Sequence, residues 1–158
     1  MVEVENFGYE RTEFKILLVN MKIIKVARMG IIFEIASEIR ERMMDEYVSE
    51  LLEEVNEDYD NDDEKRERLD EILSGGKFLS PPFCEMMSEE LCAELNKRGF
   101  DAKKVCGNCM KSYHCWVELN NKVIIDITAD QFGANYPDVF ITSYSRSPEY
   151  EKRTSYEC

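Results

Sequence analysis

Apolar residues recur at helical spacing from Ile31 to Val55. Ile32, Ile35, Ile39, Met43, Val48, Leu51, Leu52 and Val55 fall on one stripe, with Glu34, Glu38, Arg40, Glu41 and Arg42 between them. That spacing predicts a long amphipathic helix covering one face of a domain. Upstream, Phe14 to Val19 and Ile23 to Val26 are apolar and β-branched enough for strands, and equally compatible with a buried helix. The run 56–66, NEDYDNDDEKR, breaks the pattern. Asp58, Asp60 and Asp62 alternate like the start of a calcium loop, but Asp63 and Leu69 stand where such a loop needs Gly and Glu. The run reads as a solvated turn, with Asp62 or Asp63 capping a helix to about Leu73 that Ser74-Gly75-Gly76 ends.

Ser80-Pro81-Pro82 is a helix start, since Ser caps and Pro is tolerated in a first turn. The helix is expected to reach Arg98, with Met87, Leu91 and Leu95 on its inner face and Gly99 as its stop. A strand over 101–106 and a loop over 107–111 follow. Next comes a hairpin, Tyr113–Leu119 with Val123–Thr128, then a last strand, Val139–Thr142. The tail from Ser143 is polar and reads as loose. The expectation is one α+β domain. It comprises a mainly helical portion at 1–75, a core at 76–145 in which a helix packs on a small antiparallel sheet, and a flexible tail at 146–158. Any internal boundary would fall between 56 and 76.

The hairpin register follows from alternation. Cys115, Val117 and Leu119 share one face of the first strand, and Val123, Ile125 and Ile127 share one face of the second. Burying both sets together requires pairs whose numbers sum to an even value. A strict two-residue turn at Asn120-Asn121 would split the sets, so the loop should hold three or five residues. The same parity puts His114, Trp116 and Glu118 on the face of Ile124, Asp126 and Thr128. His114 and Asp126 are then direct or diagonal neighbours, within side-chain reach. His114 is the only histidine in 158 residues, so any chemistry needing imidazole must use it.

Cys84 supplies a matching thiol. It sits in the first turn of a helix, where unsatisfied amides and the helix dipole favour a negative sulfur. A cysteine, a histidine and an acid are the parts of a thiol nucleophile, its base and the base's orienter. The backbone amide of Cys84 is a natural oxyanion donor, and Gln131 is available as a second. Trp116, on the catalytic face, either lines a substrate groove or packs in the core.

Charge narrows the partners. A net charge of −13 disfavours nucleic acid and anionic membrane surfaces. The opening MVEVENFGYE has neither a basic stretch nor an apolar run of a signal peptide, and no apolar run approaches a membrane span. A cytoplasmic protein is expected, with its six cysteines mostly reduced. One competing reading uses Cys106-Gly107-Asn108-Cys109 with His114 as a zinc or redox site. Leu119 occupies the position of a fourth zinc ligand, and Cys115 points away from His114, so no metal is assigned. Another is a binding module that has lost chemistry.

At these residues the chain resembles the transglutaminase-like superfamily of papain-like cysteine enzymes. The family pattern H-x-W-x-E followed by D-x-T is met by His114, Trp116 and Glu118, then Asp126 and Thr128. Its helix and next strand are similar to Cys84 through Leu91-Cys92-Ala93-Glu94-Leu95 and Arg98-Gly99-Phe100-Asp101-Ala102-Lys103-Lys104-Val105-Cys106-Gly107. The similarity covers about residues 80–132. Pro81-Pro82-Phe83 departs from the Gly-x-Cys-Trp-like context of several members, and residues 1–75 lie outside the resemblance. The resemblance implies a papain-like core with Cys84 as nucleophile, His114 as base and acid, and Asp126 as orienter. It also implies a protein or peptide substrate and no cofactor. Members are proteases, amide hydrolases, deamidases, cross-linking acyltransferases and some inactive relatives.

Overall fold

The computed structural model describes residues 7–58, 61–74, 81–133 and 135–157. The architecture is α+β. Helices α1 (Phe7–Asp58), α2 (Asp62–Ser74) and α3 (Pro81–Lys97) precede strands β1 (Ala102–Cys109), β2 (Ser112–Leu119), β3 (Val123–Asp126), β4 (Phe140–Ser143) and β5 (Tyr150–Glu157), with one 3-10 turn at Ala129–Phe132. The strands form a single sheet in the order β4-β3-β2-β1-β5, antiparallel at every pairing. By contacts the chain divides into two compact units, Met1–Glu34 and Ile35–Cys158. The expected Gly75-Gly76 stop and Ser80 cap lie outside the described residues.

In the first unit the strand alternative is overturned, because α1 runs unbroken through both apolar segments. No glycine or proline separates them, and Lys, Met, Leu and Arg lose little freedom in a helix. Over the second segment it is not a buried helix, since Ile23 and Val26 are 60 and 72% exposed; the side chains of Phe14 to Val19 lie outside the described ones.

In the second unit α3 packs on β1 and β2, burying Phe83, Cys84, Met87, Leu91, Cys92 and Leu95. The helix ends with Gly99 at φ +83°, and Phe100 N–H donates back to the Leu95 carbonyl, a glycine-type helix stop. The Asn96 side chain then acts as a strand partner. It accepts from Ala102 N–H at 2.9 Å and donates to the Ala102 carbonyl at 3.0 Å.

The β2–β3 register pairs Val117 with Ile125, Glu118 with Ile124 and Leu119 with Val123. These are even sums closed by a three-residue loop, as the apolar pattern requires. Asn120 and Asn121 take φ of 52° and 55° there, which asparagine tolerates. Both sheet faces are covered. Cys106 and Cys115 lie under α3 against Cys84. On the opposite face Trp116, Ile124, Val105, Cys109 and Tyr150 form a core edged by Phe132, Phe140 and Tyr144.

Two expectations fail here. The segment after Ser143 is no loose tail, because β5 pairs with β1 from Cys109↔Tyr150 to Lys103↔Glu157. The driving force is the unpaired backbone edge of β1. Tyr150 is buried whereas Glu151 to Ser155 are exposed, so the strand carries no hydrophobic alternation to announce it. The cysteines, second, are not mostly reduced, because Cys92, Cys106 and Cys115 are all disulfide-bonded. Cys106 and Cys115 face each other across β1 and β2 with Cα atoms 4.3 Å apart and are joined by a disulfide. Cys84 and Cys109 are not part of a disulfide.

Candidate active site

The hairpin brings His114 and Asp126 together. Their side chains are fully buried, and His114 Nε2 lies 2.6 Å from Asp126 Oδ2. The carboxylate is held from three further directions. Thr128 donates its backbone N–H and its hydroxyl to Oδ1, at 2.8 and 3.0 Å, and Tyr150 donates its hydroxyl to Oδ2 at 2.7 Å. Burial alone would raise the Asp126 pKa. The His114 charge and these hydrogen bonds overcome it, so the acid sits below the ordinary aspartate value.

His114 shows the reciprocal effect. Burial acts to lower its pKa, but the Asp126 charge and hydrogen bond, with a smaller contribution from Cys84, push it up to about 9. Cys84 both hydrogen-bonds and interacts electrostatically with the imidazole. Nucleophile candidate, histidine and acid therefore form one connected group, and Cys84, like His114, is fully buried.

Gln131 stands on the 3-10 turn, its side-chain amide nitrogen 2.8 Å from His114 Nδ1. With a neutral ring protonated on Nε2, Nδ1 accepts from this amide. With an imidazolium, the amide must turn its oxygen to Nδ1, because both ring nitrogens then donate. Arg40 of α1 pins the turn. Its guanidinium reaches Asp130 Oδ2 at 2.6 Å and Oδ1 at 3.2 Å, and also donates to the Ile127 carbonyl. Gln131 is partly exposed and is the accessible side of the group.

Trp116 is fully buried, 6.1 Å from the His114 ring and edge-on to Tyr150 at 5.1 Å. Its Nε1–H donates to Tyr144 OH at 3.2 Å, and Tyr144 donates to the buried Glu118, which also accepts from Lys152. Its position is that of a packing residue supporting the imidazole. Phe132 meets the same ring edge-on at 4.8 Å.

Sequence reasoning did not find Tyr150. It is a single tyrosine at the start of a polar strand, and no spacing relates it to Asp126. Burial and the Asp126 charge push its own pKa up, so it stays a hydroxyl donor. Cys109, beside it, is pushed up to about 12, first by burial and then by Asp126. It remains a thiol.

The zinc arrangement is not formed. Cys106 is committed to Cys115, and three steps along a strand place Cys106 and Cys109 on opposite faces. Among the described residues no group of three or more His, Cys, Asp or Glu side chains could hold a metal ion, and no helix is long and apolar enough to cross a membrane. No protein family matches the chain, and neither a curated protein nor a solved structure matches it.

Proposed function

We propose that the chain is a cysteine-dependent hydrolase or acyltransferase acting on a carboxamide, with a core of the papain-like, transglutaminase-like kind. The supporting observation is that the lone histidine is bonded through Nε2 to a carboxylate held by three other donors, while Cys84 touches the same ring. In this reading the reacting form has a neutral His114 ring protonated on Nε2 toward Asp126; the Gln131 amide turns from Nδ1 to the oxyanion, Nδ1 takes the Cys84 thiol proton, and the sulfur attacks the amide carbonyl carbon. The backbone N–H of Cys84 and the Gln131 amide serve as oxyanion donors. His114 returns the proton to the leaving amine as the C–N bond breaks, leaving a thioester. Water or an acceptor amine, deprotonated by His114, then releases the acyl group and restores the thiol. Asp126 holds the ring and stabilises the imidazolium. Cys84 is buried in the resting state, so substrate must displace its cover before attack.

The test is iodoacetamide labelling resolved by mass spectrometry. Cys84 and Cys109 are equally buried, so Cys109 is an internal control for access. Cys84 is expected to label much faster near neutral pH, and His114→Ala to erase that advantage. Equal rates in the native chain would end the proposal. Release of ammonia or amine from a glutamine peptide, lost in Cys84→Ala, then separates hydrolase from transferase.

One observation favours a second reading, thiol–disulfide exchange. Cys84 packs against the Cys106–Cys115 disulfide. A Cys84 thiolate attacking either sulfur would form a new disulfide and expel the other cysteine as a thiolate, with no oxidant consumed. Non-reducing peptide mapping that found Cys84 linked to Cys106 or Cys115 would support it.

A further inference from the structure

Cys84, His114 and Asp126 come from α3 and the hairpin, but the placing of Gln131 involves α1. Ile35, Ala36 and Ile39 are buried and span an arc of about 100° on that helix. Residues on one flank of the arc meet α3, where Glu38 lies 3.5 Å from Arg98 and Arg42 lies 2.5 Å from Glu90. Both pairs are exposed, and such pairs add little. Arg40, on the other flank, has a side chain only 12% exposed. Its guanidinium donates at both ends of the segment 127–130, to the Ile127 carbonyl at one end and to both carboxylate oxygens of Asp130 at the other. A planar fork of fixed donors suits that double contact better than a single ammonium does.

The Ile127 carbonyl and the Thr128 N–H belong to one planar peptide group. Arg40 donates to its oxygen while its N–H donates to Asp126 Oδ1 at 2.8 Å. A donor on the oxygen polarises the group and strengthens the bond that its N–H makes. The other anchor, Asp130, directly precedes Gln131 in the Ala129–Phe132 turn, and Gln131 stands 2.8 Å from His114 Nδ1. The turn has no side-chain cap of its own, because Thr128 gives its hydroxyl to Asp126 instead. We propose that Arg40 is a positioning residue for the reaction. It holds the backbone of this turn against the His114–Asp126 pair, so that the Gln131 amide reaches Nδ1 at rest and the oxyanion during attack. The proposal rests on the reading of Cys84 as nucleophile, and it makes α1 a part of the active site. The amide must leave one partner and meet another by side-chain rotation, which requires its Cα to stay in place. An error of about 1 Å in such placement costs up to about a hundredfold in rate.

The test compares two probes of the same sulfur in the full chain, each read at Cys84 by mass spectrometry. Iodoacetamide is attacked at a saturated carbon, with iodide leaving, and develops no oxyanion. p-Nitrophenyl acetate is attacked at its carbonyl carbon through an oxyanion; the C–S bond forms, the C–O bond breaks and p-nitrophenolate leaves. Arg40→Ala is expected to lower the ratio of acetylation to alkylation by roughly tenfold or more, as Gln131→Ala should by removing the donor itself. An effect through Asp126 changes the thiol's reactivity toward both probes alike and leaves the ratio. The double variant should therefore fall no further than Gln131→Ala alone. Asp130→Asn, which cuts one anchor of the turn, should lower the ratio as well, and takes the place of Arg40→Ala where circular dichroism shows that variant unfolded. An unchanged ratio in the folded variant, or additive losses in the double variant, overturns the proposal. Native alkylation of Cys84 no faster than that of Cys109 would instead end the nucleophile reading, and this proposal with it.

Discussion

Replacing Asp126 by Asn tests the electrostatic centre of the site, because it keeps the side chain's shape and removes its charge. His114 is raised from 6.5 to about 9, which at about 1.4 kcal/mol per unit is about 3 kcal/mol of stabilisation of the imidazolium by the fold. The sign follows from the direction. A raised histidine contributes its full stability below the unfolded value of 6.5, and the contribution is lost as pH rises through about 9. Between about pH 6 and pH 8 the loss is about 2 kcal/mol, or about 1 M in urea midpoint. That window avoids Cys109, whose rise from 9.0 to about 12 adds a loss of the same sign at higher pH. In Asp126→Asn the burial that already acts to lower the His114 pKa loses its main opponent. The ring should then titrate at or below the ordinary value, and the fall in stability from pH 6 to 8 should flatten or reverse. With one histidine in the chain, its ring NMR signals need no assignment, and a titration of both proteins alongside urea melts reads everything. A native ring titrating near 6.5, or the same midpoint in both proteins, would refute the buried ion pair.

Tyr150→Phe removes one of the donors to Asp126 Oδ2 and should cost about 2 kcal/mol, the scale of a hydrogen bond to a charged group; an unchanged thermal midpoint would show that the hydroxyl is not bonded there. Gly107→Ala should cost roughly 3 kcal/mol or more, because a Cβ at Gly107 meets the Glu151 carbonyl oxygen and the Trp116 ring; amide exchange along β5 should rise first. Lys111→Gly should stabilise by about 1 kcal/mol, since Lys111 sits at φ +70° in the β1–β2 turn; a chemical melt that moves the other way would refute strain at this turn.

The legible parts of the fold share one property: their signal is periodic and local. The stripe from Ile32 to Val55 gave a helix, and the alternation of Cys115, Val117 and Leu119 against Val123 and Ile125 narrowed the register to pairings of one parity, with a three- or five-residue loop, of which the three-residue one is observed. That register was enough to bring His114 to Asp126 without any knowledge of the rest of the sheet. What stayed hidden has no local signature. The exposed positions of β5 are set by the free backbone edge of β1, and backbone pairing leaves no mark in side-chain order. Tyr150 reaches Asp126 only because that edge pairing fixes its place. The Cys106–Cys115 bond was derivable only from the β1–β2 register, and extending β1 to Cys109 rather than ending it at Cys106 was what that register needed. The N-terminal stretch misled differently, since apolar and β-branched content is shared by strands, buried helices and helices that leave apolar side chains exposed.

The geometry at Cys84 follows from where the β2–β3 ladder stops. Its last pair is Val117↔Ile125, so His114, three residues further out, has no strand hydrogen-bonded to it on that side. Asp126 leads instead into the bend that carries Thr128 and the turn of Gln131. With the ladder ended, the first turn of α3 meets the ring through Cys84 while the same sulfur rests on Cys106 and Cys115. Cys106↔Cys115 and Gly107↔His114 are consecutive pairs of the β1–β2 register, so the disulfide clamps the backbone directly beside His114. A bridge across nine positions of sequence, within a hairpin already paired, restricts the unfolded chain by only about 2–3 kcal/mol. Its stronger effect is positional. It holds β1 and β2 together directly beside His114 and under Cys84.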